Sequence, residues 1–406
     1  MSMANPPSNP ALHWTSTKFS SNILLDALLK HLLGLMTYGM SDLGEILEVK
    51  GQLKPGDEER WINAWAAMAK RLQHRAEDAE AAEKRVSAST AYLRASTYWR
   101  ASLMYFSHPG DPRVRDHSIA SAQCYARYLE LSGYPGKYVE IPYEGGILPG
   151  HFYRSPCAAE GAPLLILTPG RDTWAEDTRW VYDGAIRRGI HCLVYDGPGQ
   201  GLSLRLHGLP FRLDWENVIK PVVDFAFTIP AIDRSRIGLM GLSFGGFLSV
   251  RAAAFEKRIK LCISDPGTIS WGGAIINHFP TAVGHVLLGK RGDFLQRLLT
   301  WALEQTSIEW LLRDYAWKHG VSTQRVFETL LAYDNTSIAG RITCETLIMD
   351  GTEEMARGQA QRLFDALNCP KDYMLFDGTT TAQAHCQIGA YATASERLFD
   401  WLEPRL

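Results

Sequence analysis

The sequence predicts an α/β fold with a mostly parallel central sheet, preceded by a helical region. Three observations predict it. Short apolar runs without polar alternation recur from Pro163 onward and alternate with helical segments, as strands buried on both faces do. Residues from about 20 to 135 carry helical spacing instead. One apolar run, Ile237–Met240, leads through a glycine-flanked serine directly into a helical segment.

The helical region comes first. Ile23, Leu24, Leu28, Leu32 and Leu35 recur near helical spacing, as do Trp61, Trp65, Met68 and Leu72. Asn22 to Met40 is the most apolar early stretch, but Asp26, Lys30 and His31 make it an amphipathic helix and a poor membrane span. A long Ala/Glu/Lys/Arg stretch is expected to run as helix from Arg75 to Ala95, followed by an aromatic-rich helix from Ser96 to Phe106. His108-Pro-Gly-Asp-Pro112 stops it, and a further helix is expected over Ser118 to Leu131, closed by Gly133 and Pro135.

The texture then changes. Tyr138–Tyr143 and Leu148–Tyr153 flank Gly145-Gly146 as a hairpin. The runs Pro163–Thr168, Ile190–Tyr195, Arg236–Met240, Lys260–Asp265, Glu345–Asp350 and Asp372–Phe376 supply the remaining strands. A helical interval at about 271–340 separates the fourth of these runs from the fifth, a placement suited to a lid. The expected organisation is a helical cap over 1–135 and an α/β domain over 136–406 carrying that insertion.

Composition narrows the function classes. A net charge of −2 over 406 residues gives no field directed at nucleic acid or an anionic membrane. The seven cysteines are scattered with no C-x-x-C pair, which argues against a zinc site or redox dithiol and fits a reducing compartment. Met1–Pro10 lacks the order of a signal peptide, so a soluble, cytoplasmic protein is expected.

Gly241-Leu-Ser243-Phe-Gly245 between strand and helix is the G-x-S-x-G pattern in the setting its chemistry needs. The serine then stands on a sharp, strained turn at a helix N-terminus, exposed for attack, in the manner of an α/β-hydrolase fold. Its base is expected after the final strand, where His385 stands, while His278, His285 and His319 fall in the insertion. The acid is expected just after Leu347–Met349, where Asp350, Glu353 and Glu354 compete; the spacing from Gly351 selects Glu354, with Glu353 and Asp350 as alternatives. One oxyanion donor is expected at the N–H of Phe244, the other at Arg171 or Asp172 in the loop after Leu164–Thr168.

Pro169–Asp177, Tyr195-Asp-Gly-Pro-Gly-Gln-Gly201, Gly241–Gly246 and Ala384-His385-Cys386 together resemble the FrsA-like α/β hydrolases. That group includes 2,6-dihydroxypseudooxynicotine hydrolase and fungal hydrolases that shorten polyketide precursors. The likeness extends upstream to Ile141–Gly150 and Arg94–Ala101. It implies a helical N-terminal domain over the mouth of the catalytic domain, and a homodimer. It also implies cleavage of carbon–carbon bonds next to a ketone, or of esters, with no metal or organic cofactor. An acidic residue after the first central strand assists carbon–carbon cleavage in one relative, and Glu176 stands in the matching segment with Asp172 as the alternative. The resemblance has Asp as the usual acid, where this sequence has Glu353-Glu354.

The expected substrate is a small carbonyl compound, and the 12 tryptophans favour an aromatic or polyketide-like one. Contacts are expected from Tyr98, Trp99, Tyr105, Trp174, Trp271 and His278. An esterase, lactonase or acyltransferase with the same residues is the alternative, as is a non-hydrolytic cyclase using the same pocket.

Overall fold

The computed structural model describes residues 13–277, 279–288, 292–306 and 308–406. Five helices open the chain: α1 (Ile23–Gly34), α2 (Leu43–Lys50), α3 (Glu58–Ala81), α4 (Arg85–Met104) and α5 (Pro112–Ser132). Their starts are set by side chains that accept orphan N–H groups: Asn22 for α1, Asp42 for α2, Asp57 for α3 and Asp111 for α5, where Pro112 occupies the first turn.

Two helix boundaries differ from expectation. The stretch Arg75–Ala95 is not one helix: the chain turns at Ala82–Lys84, with Glu83 at φ +57°. The second helix then runs unbroken through Ala95-Ser96, so no separate helix starts at Ser96. No glycine or proline marks that break; it lets α4 fold back on α3. α4 stops at Met104, and Asp111-Pro112 caps and begins the next helix, so α5 starts well before Ser118.

The sheet follows. β1 (Gly136–Tyr143) and β2 (Gly146–Tyr153) form the hairpin, joined by Glu144 and Gly145 at positive φ. Then come β3 (Ala162–Thr168), α6 (Arg179–Ile186), β4 (His191–Tyr195), α7 (Gly201–Arg205), α8 (Glu216–Ala226), β5 (Ile232–Leu242), α9 (Phe244–Phe255) and β6 (Leu261–Asp265). The insertion supplies α10 (Trp271–Ile276), α11 (Thr281–Leu287), α12 (Asp293–Glu304), α13 (Glu309–His319) and α14 (Val326–Ala332). The chain closes with β7 (Glu345–Gly351), α15 (Gln359–Ala366), β8 (Lys371–Phe376) and α16 (Tyr391–Leu402). The strand order is β1-β2-β4-β3-β5-β6-β7-β8, antiparallel at β1-β2 and β2-β4 and parallel from there on.

Alternation along the buried strands divides their side chains between two cores. Leu165, Leu167, Val194, Met240 and Leu347 join a cluster that also holds Leu25, Leu29, Trp61, Trp65 and Tyr98. The helical region and one face of the sheet thus share one continuous core. Leu164, Ile166, Leu193 and Leu239 face the other way, toward Val218, Val222 and the inserted helices. Thr168 pairs with Gly241 and Leu242 with Asp265, so the carboxyl ends of β3, β5 and β6 lie level at one edge, where such sheets bind ligands.

Candidate active site

At that edge Ser243 links β5 to α9 with φ +56° and ψ −121°, a conformation a non-glycine residue keeps only when its surroundings enforce it. The flanking glycines permit the bend: a Cβ on Gly241 would lie 1.9 Å from the Gly245 carbonyl oxygen, and one on Gly245 would lie 2.3 Å from that of Thr168. The Ser243 N–H donates to the Asp265 carbonyl at 2.6 Å, tying the turn to the end of β6.

His385 follows the loop after β8, in a short 3-10 turn whose next two residues, Cys386 and Gln387, have positive φ. Its Nε2 lies 2.9 Å from Ser243 Oγ and its Nδ1 lies 2.6 Å from Glu354 Oε1. Burial pulls the imidazole pKa down, but the charge and hydrogen bond of Glu354 outweigh it, and His385 titrates above its ordinary value. Burial pushes Glu354 up; the His385 contact and the N–H of Ala356 more than offset that and hold it below the usual carboxylate range.

The two alternative acids lie elsewhere. Glu353 is exposed and accepts from Thr15 Oγ1 at 3.1 Å. It bridges to Ala384 in extended backbone, so it and Glu354 point to opposite sides. Asp350 accepts from the Tyr373 hydroxyl and from the Gly351 N–H.

The Cys386 thiol sits 3.5 Å from the same His385 nitrogen, but burial pushes its pKa well above the ordinary thiol value, so it stays protonated and a poor nucleophile. The loop after β3 closes on the serine: a Cβ on Gly170 would stand 3.0 Å from Ser243 Cβ. Among the described residues the N–H groups of Phe244, Arg171 and Asp172 have no acceptor. The Arg171 side chain turns away, pairing with Asp314 of α13 and stacking 4.0 Å over Tyr315. Asp172 accepts from Lys318 at 2.6 Å and forms an ion pair with Arg171 at 3.0 Å; burial pushes its carboxyl up, the two cations prevail, and it is held at about 2, ionised.

Ser243, His385 and Glu354 open onto a cavity of about 240 Å³. Arg171, Asp172 and Trp271 also line it. The wall opposite comes from residues that pattern reading did not assign to the site: Leu24, Ala27, Leu28 and His31 of α1, with Leu311 and Tyr315 of α13. Their only signal was that α1 is apolar around more of its circumference than one core face requires.

Several expected substrate contacts are corrected. Tyr98 is fully buried, donating to Glu45 and accepting from the Asp42 N–H. Trp99 donates to Gln73, and Tyr105 stacks on Trp310 at 4.1 Å. All three sit on or just after α4, which is packed between α3 and α5, so their rings are core. Trp174 is buried beneath the Arg205 guanidinium, 4.2 Å from its ring centre. Glu176 faces a different cavity. His278 lies outside the described residues.

The comparisons with known proteins agree with this fold. The family described as Esterase FrsA-like matches residues 55–275, more than half of the chain. The chain belongs to that family. It is an enzyme, a hydrolase of the α/β-hydrolase fold. The 20-hydroxy-prefusarin hydrolase FUS2 of Gibberella moniliformis is 33% identical over 400 residues, covering 92% of this chain and 94% of its own. The hydrolase LUC6 of a Fusarium species is 31% identical over 398 residues, with the same coverage of 92% and 94%. The crystal structure of 2,6-dihydroxy-pseudo-oxynicotine hydrolase superposes with a TM-score of 0.70 at 20% identity, covering 92% of this chain and 95% of that one, and shows the shared fold. No described helix is long and apolar enough to cross a membrane.

Proposed function

We propose that this FrsA-like hydrolase cleaves a small, aromatic or polyketide-like carbonyl compound through an acyl-enzyme on Ser243. The observation that carries the reading is the pair of short contacts on one imidazole, 2.9 Å to Ser243 Oγ and 2.6 Å to Glu354 Oε1, at the wall of a mainly apolar cavity. His385 Nε2 takes the Ser243 proton as Oγ attacks the carbonyl carbon, and Glu354 stabilises the imidazolium that forms. The N–H groups of Phe244 and of Arg171 or Asp172, free of internal acceptors, receive the oxyanion. Collapse breaks the scissile bond, and the imidazolium returns its proton to the leaving group. Water, activated by the same imidazole, then releases the acid and restores Ser243.

The leaving group is an alkoxide from an ester, or a carbon delocalised as an enol from a β-diketone or aryl ketone. Asp172 is ionised, so it serves as a hydrogen-bond acceptor for an enol or hydroxyl on the substrate and not as a proton donor. Support for a polyketide-like substrate comes from the relative named for 20-hydroxy-prefusarin and from the apolar wall of α1. The resemblance also supports a homodimer.

The test is mass spectrometry of the intact protein after mixing with p-nitrophenyl esters and with aryl β-diketones. The expected result is an acyl adduct on Ser243 from both. Turnover of a diketone that persists in Ser243→Ala would overturn the reading in favour of a cyclase or other non-covalent use of the pocket.

A further inference from the structure

Two buried charged side chains beside the Ser243 cavity have no part in the chemistry derived above. Asp314 and Lys318 stand one turn apart on α13, 2.9 Å from each other, and the side chain of each is 1% exposed. Neither lines the cavity, although Leu311 and Tyr315 of the same helix do. What they reach is the loop after β3. Asp314 pairs with Arg171, and Lys318 donates to Asp172 at 2.6 Å. Arg171 and Asp172 lie 3.0 Å apart and close the ring.

Two consecutive loop residues are thus tied by their side chains to two positions spaced i, i+4 on a helix, and the peptide that joins them is held between those ties. Other bonds hold the rest of the loop. Gln200 Nε2 donates to the Pro169 carbonyl and lies 3.4 Å from that of Gly170, while Thr173 Oγ1 accepts the Gly170 N–H at 3.1 Å. The N–H groups of Arg171 and Asp172 are left free. Within the ring the four charges cancel. Arg205 is a fifth charge nearby and acts on both Asp172 and Asp314, but among the described residues it bonds to none of the four: its guanidinium donates to the Gly201 carbonyl at 3.2 Å and lies over Trp174. Taking such a ring out of water offsets most of its internal attraction, so its use is better sought in geometry than in stability.

We propose that Asp314 and Lys318 are positioning residues for the oxyanion hole: by holding the Arg171 and Asp172 side chains, α13 aims the backbone N–H groups of this loop at the oxygen that becomes the oxyanion. The other donor, the Phe244 N–H, is set by the turn at Ser243 and owes nothing to α13. The inserted helices therefore complete the reacting site as well as cover it. The proposal rests on the acyl-enzyme reading of Ser243 and adds to it the two residues that align one half of the oxyanion hole.

The test uses the whole protein with a p-nitrophenyl ester and with an aryl trifluoromethyl ketone beside the matching methyl ketone. Ser243 Oγ bonds to the carbonyl carbon of the fluorinated ketone, the C=O electron pair moves to oxygen, and the hydroxyl proton passes to His385; the methyl ketone binds without adding. Lys318→Met should lower kcat about 30-fold or more with KM within about threefold of the parent. It should weaken the trifluoromethyl ketone by a similar factor and leave the methyl ketone unchanged. Because that variant strips the cation from two buried carboxylates and can cost the fold, Asp314→Leu/Lys318→Met is measured beside it, removing both charges together. The double variant should show the same loss in kcat with its circular dichroism unchanged. Parent-like kcat and trifluoromethyl ketone affinity in the folded double variant would overturn the assignment. So would a change confined to KM, which would make the ring a support for the cavity wall alone. A parent protein that neither hydrolyses the ester nor adds to the fluorinated ketone would instead overturn the acyl-enzyme reading, and the assignment with it.

Discussion

The two sides of the Ser243 cavity are built by different rules. On the sheet side, every reacting atom is fixed by backbone that has little freedom: the turn at Ser243, the consecutive positive-φ residues after His385, and the extended bridge that turns Glu354 inward and Glu353 out. On the helix side, Leu24, Ala27 and Leu28 contribute shape alone, from a helix held by the shared core. Chemistry sits where the backbone is over-determined, and selectivity where side chains can change size without disturbing it. Substitutions on the first side should therefore act on the chemical step, and those on the second on substrate choice.

The sharpest break of that contrast is Ser243→Ala. It should lower kcat/KM by about 10⁴-fold or more and abolish labelling by a fluorophosphonate, while the melting temperature stays near that of the parent. Glu354→Gln comes next, with a loss of roughly 10²–10⁴-fold in kcat, against less than about threefold for Glu353→Gln. The pH profile distinguishes a tuning role from a structural one. The reaction needs neutral His385, so kcat/KM falls as pH drops through its raised pKa. The Glu354 carboxylate favours the imidazolium; without it the imidazole loses its proton more readily, and the acid limb of kcat/KM should move to lower pH. An acid limb that stays in place would mean another group sets the titration.

The same division explains how much was legible in the sequence. The strands were legible because a parallel sheet covered on both faces admits no polar alternation, and β3, β4 and β6 are buried along their whole length. The positions of Ser243 and His385 followed from a turn motif and from chain order. The acid was only partly legible: spacing from Gly351 selected Glu354, the residue that meets His385, but Glu353 and Asp350 stayed open because which of the three side chains points inward is decided by the bridge between Glu353 and Ala384 across a loop junction. The cavity wall was the least legible. Aromatic density drew attention to α4, but α4 runs between α3 and α5, and its rings fill core. The wall belongs to α1, whose leucines carry no mark to separate those facing the cavity from those buried in the core.

A pair of substitutions on these helices completes the comparison. Ala27→Trp on α1 narrows the cavity from its apolar side, and should raise KM for a bulky ester about tenfold, equivalent to about 1.4 kcal/mol, while fluorophosphonate labelling of Ser243 proceeds at the parent rate. Tyr98→Phe on α4 should do the reverse. It removes a hydroxyl that donates to Glu45 at 2.8 Å and accepts from the Asp42 N–H at 2.9 Å, at the cap that starts α2. The cost should be about 1–2 kcal/mol in urea unfolding, because a partly buried donor and acceptor lose their partner together. Neither KM nor kcat should change, since the ring still fills the same space against Trp65, 5.3 Å away. A change in KM with Tyr98→Phe would mean that α4 reaches the substrate through a movement of α1, and the division between a rigid chemical side and a selective helical side would have to include both helices.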